Sequence, residues 1–405
     1  MLDTAFYEEN RIEIVGEYDV IVVGGGIAGV SAALAARRNH CSVLLLEKSV
    51  MLGGLATLGL IAIYLPLCDG RGRKVIGGIA EELLQLSIQY GYDNLSEYWR
   101  QPTAGICPQE RYRTHFSPPE FVVALDELMM HEGVDLLFDT LFCKPVVQNG
   151  WCSGVIVENK AGRLGYRGKV IIDATGDSDV FFRAGGPCVE TDNWLSYWAF
   201  ATDLEGMKKA VEFGDIMKGI HLLRLGGDNA GTTVPADARK YKGTDAGEIT
   251  EFVLEGRRWM KKVLSEQGYF KARKKEKSLL TLPGMPQFRT TRRIKGIYEL
   301  TGDDVSKHFS DSIGLAGDWR KAGPVYEIPY RSLITDSLYN ILAAGRNISS
   351  GGDAWEVTRV IPVAALTGQA AGTAASLAVK ENCRLRDVPL DKLQQKLQEA
   401  GVLIH

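Results

Sequence analysis

Apolar runs of strand length alternate with segments of helical period along the first half of the chain. Residues 18–23 form a strand-like run that empties into Gly24-Gly25-Gly26-Ile27-Ala28-Gly29 and then into an alanine-rich helical segment. A second apolar run, residues 42–46, ends in Glu47, eighteen positions after Gly29. This order of strand, glycine turn, helix, strand and acid predicts a nucleotide-binding unit. Gly24 permits the tight turn, Gly26 lets a diphosphate approach the backbone, and Gly29 lets helix and strand pack closely. The helix N-terminus favours the anion, and Glu47 is spaced to accept hydrogen bonds from a ribose diol.

Further along, residues 78–90 carry Ile79, Leu83, Leu84, Leu86 and Ile88 at helical spacing, and Pro118-Pro119-Glu120 opens a second helix reaching about residue 131. Alternating segments around 146–147 and 154–158 predict a small antiparallel layer, and residues 169–172 a buried strand ending in Asp173-Ala174-Thr175-Gly176-Asp177. From about 189 to 326 the chain turns aromatic, charged and mixed, as a substrate-covering insertion would. The pattern returns in Asn340-Ile341-Leu342-Ala343-Ala344-Gly345-Arg346, a short strand entering a glycine turn. Residues 360–379 are uncharged and about long enough to cross a bilayer, but their Ala, Gly and Thr content with Pro362 and Gln369 predicts a buried helix instead.

Composition narrows the function classes. At 405 residues, two domains or one domain with a large insertion are expected. A formal charge of −3 gives no global attraction to nucleic acid or anionic membrane. The basic stretch Arg257, Arg258, Lys261, Lys262, Lys271, Arg273, Lys274, Lys275 and Lys277 lacks interleaved aromatics and reads as a solvated helix face. The odd set Cys41, Cys68, Cys107, Cys143, Cys152, Cys188 and Cys383 holds no closely spaced pair, which argues against a disulfide framework, a zinc ribbon or a dithiol centre. The first residues lack the basic and apolar regions of a signal peptide, so a cytoplasmic location is expected, with no membrane partner and no metal.

Three further glycine turns, at Gly53-Gly54, residues 174–177 and residues 343–346, lie far apart in sequence and suggest a large cofactor enclosed by several segments. Together with Gly24, Gly26, Gly29, Glu47 and Gly53-Gly54-Leu55-Ala56-Thr57, they resemble the FAD-binding motifs of the glutathione-reductase-like flavoproteins related to fumarate reductase and succinate dehydrogenase. The resemblance is closer still to uncharacterised bacterial FAD-dependent oxidoreductases, whose pattern is echoed by Arg289-Thr290-Thr291-Arg292-Arg293-Ile294, by Tyr326-Glu327-Ile328-Pro329-Tyr330-Arg331, and by Arg359 followed by Gly368-Gln369-Ala370-Ala371-Gly372.

The resemblance implies an α/β fold: a glutathione-reductase-like, Rossmann-type FAD-binding domain (residues 1–188 and 327–405) with an inserted α+β substrate or cap domain (189–326). It implies that Gly24, Gly26, Ile27, Ala28 and Gly29 serve the diphosphate, that Glu47 with Lys48 serves the adenosine ribose, and that Gly53, Gly54, Ala56 and Thr57 follow the diphosphate and ribityl chain. Ala174, Thr175, Gly176, Asp177, Gly345 and Arg346 would meet the dinucleotide from later segments, and the helix beginning at Val363 and Ala364 would point its N-terminus at the flavin. No histidine lies between His40 and His115 for covalent attachment, so non-covalent FAD is expected.

The expected reaction is hydride transfer between flavin N5 and a small polar metabolite, neutral or anionic. Arg292, Arg293, Arg331 and Arg359 are candidate substrate clamps, because guanidinium forks match carboxylates. His308, His115 and Tyr330 are candidate proton-transfer groups. The electron donor or acceptor and any homo-oligomer stay open. The alternatives are a non-redox protein that holds FAD or another dinucleotide as a structural or sensing ligand, and an RNA-modifying flavoprotein using the basic stretch.

Overall fold

The structure is a computed structural model and describes residues 8–101, 110–226, 238–271 and 275–405. Its largest sheet is built on the predicted unit: strand β1 (Glu13–Val23), helix α1 (Ile27–Arg38) and strand β2 (Val43–Leu46). The order across the sheet is Asp135–Leu137, β2, β1, Gly162–Asp173, Trp151–Asn159 and Leu141–Gln148, and Ile341–Ala343 also pairs with Gly162–Asp173. β1 begins at Glu13, earlier than the apolar pattern shows, because its polar half pairs with Leu164–Arg167.

The long strand Gly162–Asp173 is shared between two environments. Its first half pairs antiparallel with Trp151–Asn159, completing the expected antiparallel layer, and its last three residues pair in parallel with Ile341–Ala343. The parallel part is apolar on both faces, as a sheet covered on both sides must be. Residues 20–23, 43–46, 170–172 and 341–343 are all buried.

Register places the function. Val23 lies opposite both Leu46 and Asp173, and Asp173 opposite Ala343, so four strands end at one level. The turns that leave those ends therefore emerge side by side at the carboxyl edge of a parallel sheet, where α/β folds place their ligands.

The uncharged run 360–379 forms helix Ile361–Glu381, almost wholly buried. It packs on α1 through small residues: a Cβ on Gly368 or Gly372 would sit 2.2 Å from the carbonyl oxygen of Ala28 or Ala32. That close approach explains its Ala and Gly content. Among the described residues no single helix is long and apolar enough to cross a membrane; this helix and Gly352–Thr358 pass such a test only as a pair bent by 84°.

Between residues 195 and 288 the chain builds separate small cores. Strands Tyr197–Asp203, His221–Leu225 and Lys277–Thr281 form an antiparallel sheet with Tyr197–Asp203 in the centre. One face, with Tyr197, Ala199 and Ala201, packs on Met260 and Leu264 of helix Ala246–Glu266. The opposite face carries Trp198 and Phe200, and Phe200 joins the main core. That helix also bears Arg257, Arg258, Lys261 and Lys262, whereas Arg273, Lys274 and Cys107 fall outside the described residues.

Packing changes earlier than residue 326. Arg292–Ile294 pairs with Cys188–Glu190, and Ile294, Leu300, Phe309, Ile313 and Leu315 belong to the main core.

Candidate functional site

Where the four strands end, the structure encloses a cavity of about 420 Å³. The turn after β1 supplies Gly24, Gly26, Ile27 and Ala28, and the end of β2 supplies Glu47 and Lys48. Gly53, Gly54 and Ala56 line it from the paired-glycine segment, and Gly26 bridges Gly53. The later turns add Ala174, Thr175, Gly176 and Asp177, then Gly345 and Arg346. Ala364 and Ile361 reach it from the start of the long buried helix. Segments more than 300 residues apart thus meet at one site.

Three of the expected cofactor residues do not line this cavity. Gly29 works from behind: a Cβ there would lie 1.8 Å from the carbonyl oxygen of Gly24, so the residue is what lets the turn close over α1. Thr57 is buried with its hydroxyl donated to the Leu52 carbonyl, and it faces a second cavity. Val363 points into the core, its neighbour Ala364 taking the lining position.

The polar groups are arranged for an extended anion with a hydroxyl-bearing end. Glu47 is held by two backbone N–H donors, Gly25 N at 2.7 Å to Oε2 and Ser49 N at 2.7 Å to Oε1, which fixes its carboxylate at the cavity wall. α1 begins with no acidic residue in its first turn and no side-chain cap, so its first N–H groups are left for a ligand. An ideal Cβ on Gly26 meets nothing within 4 Å, which makes that position an open cradle facing the cavity.

Arg346 clasps two turns together. Its guanidinium donates to the Gly176 carbonyl at 2.7 Å, the Phe288 carbonyl at 2.9 Å and the Asp177 carboxylate. Asp179 and Arg183 also line the cavity. Asp179 lies two residues beyond the predicted turn, so extending that turn would have found it. Burial first, and then the neighbouring Asp177, push its carboxyl above the usual range. Arg183 donates to the carbonyls of Phe142 and Cys143, a contact across 40 residues with no sequence signal.

Beneath the turn, Asp173 is fully buried and accepts from Thr175 Oγ1 at 2.7 Å and from the N–H groups of Val180 and Phe181 at 2.9 and 3.1 Å. Burial pushes its carboxyl up to about 6.

The expected substrate arginines are not brought together. Arg359 alone lines the cavity, and it is paired with Glu356 at 2.5 Å. Arg292 is bonded to Asp179 and Glu190, Arg293 to Glu299, and Arg331 to Asp311. Those three line neither cavity, and each is neutralised by a carboxylate that the linear sequence does not mark. His308 is exposed and meets Glu327 at 3.3 Å, away from both cavities. Tyr330 is buried in the core with its hydroxyl donated to the Leu385 carbonyl.

A second cavity of about 520 Å³ adjoins the first, sharing Leu58 and Gly284 with it. The two shared residues are joined by the bond from Gly284 N to the Leu58 carbonyl at 2.8 Å. Among the described residues no charged side chain lines this cavity.

A family model described as FAD dependent oxidoreductase matches residues 19–397. The chain belongs to that family. This FAD dependent oxidoreductase is 28% identical over 164 residues to the tRNA uridine 5-carboxymethylaminomethyl modification enzyme of Bacillus subtilis, a match covering 40% of the chain and 24% of that protein. It is 39% identical over 87 residues to the vinyl phenol reductase of Lactiplantibacillus plantarum, covering 21% of the chain and 17% of the relative. The chain thus matches about a quarter or less of these relatives' own length. Among solved structures, a geranylgeranyl bacteriochlorophyll reductase-like protein of Thermoplasma acidophilum aligns with a TM-score of 0.45 at 14% identity, over 96% of this chain and 83% of that one. The p-nitrophenol 4-monooxygenase of Pseudomonas putida aligns with a TM-score of 0.48 at 12% identity, over 95% and 84%.

FAD is the cofactor of this oxidoreductase, and the donor set of the first cavity fits it. The open cradle at Gly26 and the free N–H groups of α1 suit a diphosphate, and the clamped Glu47 carboxylate suits a ribose diol.

Proposed function

We propose that the enzyme transfers a hydride between a small molecule and FAD held non-covalently in the 420 Å³ cavity. The observation that carries this reading is the convergence of four strand-end turns and two helix N-termini on one cavity that opens directly beside a second one. Bound FAD supplies the hydride-accepting or hydride-donating centre at its flavin ring.

Every other task falls to the chain. Gly24, Gly26, Ile27 and Ala28 hold the diphosphate against α1, Glu47 orients the adenosine ribose, and Lys48 adds positive charge beside it. The turns at 174–177 and 345–346, locked by Arg346, close the opposite wall. The N-terminus of helix Ile361–Glu381 turns its positive dipole end to the pyrimidine edge beside Ile361 and Ala364, where it favours negative charge. No His, Cys or Tyr among the described residues lines the cavity, which supports non-covalent attachment.

Residues 1–188 and 327–405 form the FAD-binding part in this reading, a discontinuous arrangement of the glutathione-reductase-like kind. Within the expected cover, residues 189–326, the small cores between 195 and 288 carry that role, their sheet bringing Phe200 and Leu280 to the second cavity.

Anaerobic mixing of the FAD-loaded protein with reductants and metabolites, followed at the oxidised-flavin band, tests the redox role. Bleaching by at least one metabolite is the expected result. A flavin that photoreduction or dithionite bleaches but no metabolite does would favour a sensing or structural role.

A further inference from the structure

We propose that the second cavity is the substrate site and that it takes an apolar acid, its hydrocarbon or aromatic body in the cavity and its carboxylate at the mouth on Arg224. This rests on the FAD reading of the first cavity, and it replaces the small polar metabolite expected from the sequence with an amphipathic one.

The body of the site is apolar by construction. Leu58, Leu60, Phe200, Ile220, Leu280 and Leu282 form its walls, and about 520 Å³ is within the range that holds a small ligand. Among the described residues its only polar side chains are the hydroxyls of Thr57, Tyr92, Ser117 and Thr281. A carboxylate inside it would lose its hydration with no cation to replace it, at a cost of several kcal/mol. Any charged end must therefore lie outside the walls.

The chain places cations at that point. In the cap sheet Phe200 lies opposite Leu222 and Trp198 opposite Arg224, so Arg224 is two residues along from the cavity wall on the face that looks away from helix Ala246–Glu266. From the other side, His115 precedes the lining residue Ser117 by two positions. The two meet across the seam: Arg224 Nη2 lies 3.1 Å from His115 Nε2, and the guanidinium sits 4.9 Å from the centre of the Trp198 ring. An arginine can only donate, so Nε2 is the acceptor, and His115 Nδ1 bonds Asn94 Oδ1 at 3.2 Å.

Neither Arg224 nor the nearby Arg113 is bonded to a carboxylate among the described residues. Burial and then Arg113 lower the Arg224 pKa, and burial, Arg224 and Arg113 lower that of His115, as expected where positive potential is uncompensated. Arg292, Arg293, Arg331, Arg346 and Arg359 all have acidic partners. Arg224 is thus held in position by an imidazole and an indole, with donors left for an anion.

The test uses the FAD-loaded full chain with 3-phenylpropionate, its amide and succinate as probes. Binding is read from perturbation of the flavin absorption band and by calorimetry. The carboxylate should bind saturably, the amide about tenfold more weakly, as one charge-assisted bond at an exposed mouth implies, and succinate not measurably. Arg224→Gln should bring the carboxylate to the level of the amide, and Leu280→Trp, which narrows the cavity, should weaken both. Equal binding of acid and amide, or indifference to Arg224→Gln, would overturn the anion anchor. Neither probe binding to protein with full FAD occupancy would overturn the substrate site while leaving the cofactor reading intact. A chain that takes up no FAD would instead refute the reading of the first cavity, and the inference with it.

Discussion

Two glycines of the first turn, three residues apart, should fail in opposite ways when changed to alanine. At Gly29 the new Cβ would sit 1.8 Å from the Gly24 carbonyl oxygen, a backbone atom that no rotamer change can move. Relief requires shifting α1 against β1, at about 3 kcal/mol of fold stability, the upper end of overpacking costs. At Gly26 the Cβ meets nothing within 4 Å, so Gly26→Ala should leave the cofactor-free protein as stable as the native one. The methyl would instead occupy the cradle meant for the diphosphate. An overpacking cost of about 1–3 kcal/mol, borne only by the complex, corresponds to FAD affinity weakened about 5- to 150-fold. Thermal unfolding of the cofactor-free proteins and titration with FAD by fluorescence separate the two effects. Native FAD affinity in Gly26→Ala, or native stability in Gly29→Ala, would refute the assignment of cradle and packing roles.

Arg346→Ala removes the clasp between the turns at 174–177 and 345–346 and leaves Asp177 with only the Thr291 hydroxyl, so stability should fall by about 3–5 kcal/mol in chemical denaturation; Arg346→Lys should recover little, lacking the planar fork. Asp173 predicts a pH dependence: its folded pKa, about 6, lies above its unfolded value of 3.8, so the folded state binds the proton more tightly. Stability of the wild type relative to Asp173→Asn should therefore fall by about 3 kcal/mol as pH rises from near 4 to near 6, then level off. A flat difference in denaturation midpoints across that range would contradict it. Arg293→Gln should lower the melting temperature through loss of the Glu299 pair and leave FAD affinity unchanged, since Arg293 lines neither cavity.

The nucleotide unit was legible because its signal is local. The strand, the glycines and Glu47 lie within thirty residues of each other, and each meets its predicted neighbour: Gly25 bonds Glu47, and Gly24 closes over Gly29. The later turns were legible for the same reason, as short apolar strands ending in glycine. The substrate arginines were misplaced because the partners that neutralise them are set by tertiary structure: Arg292 meets Asp179 across 113 residues and Arg331 meets Asp311 across 20. A cation's charge is visible in a sequence, but its neutralisation is not. The second cavity was hidden for a related reason. Its walls are ordinary apolar residues from separate segments, and only the strand pairing of Phe200 with Leu222 and of Trp198 with Arg224 brings Arg224 within two residues of a wall position.

The most direct test of the central claim is the visible absorption spectrum of the purified protein, taken before and after acid precipitation. A yellow protein whose chromophore passes wholly into the supernatant and matches FAD is the predicted result. A colourless protein that fails to take up added FAD, or a chromophore that stays with the precipitate, would contradict a non-covalent FAD site at the ends of these strands.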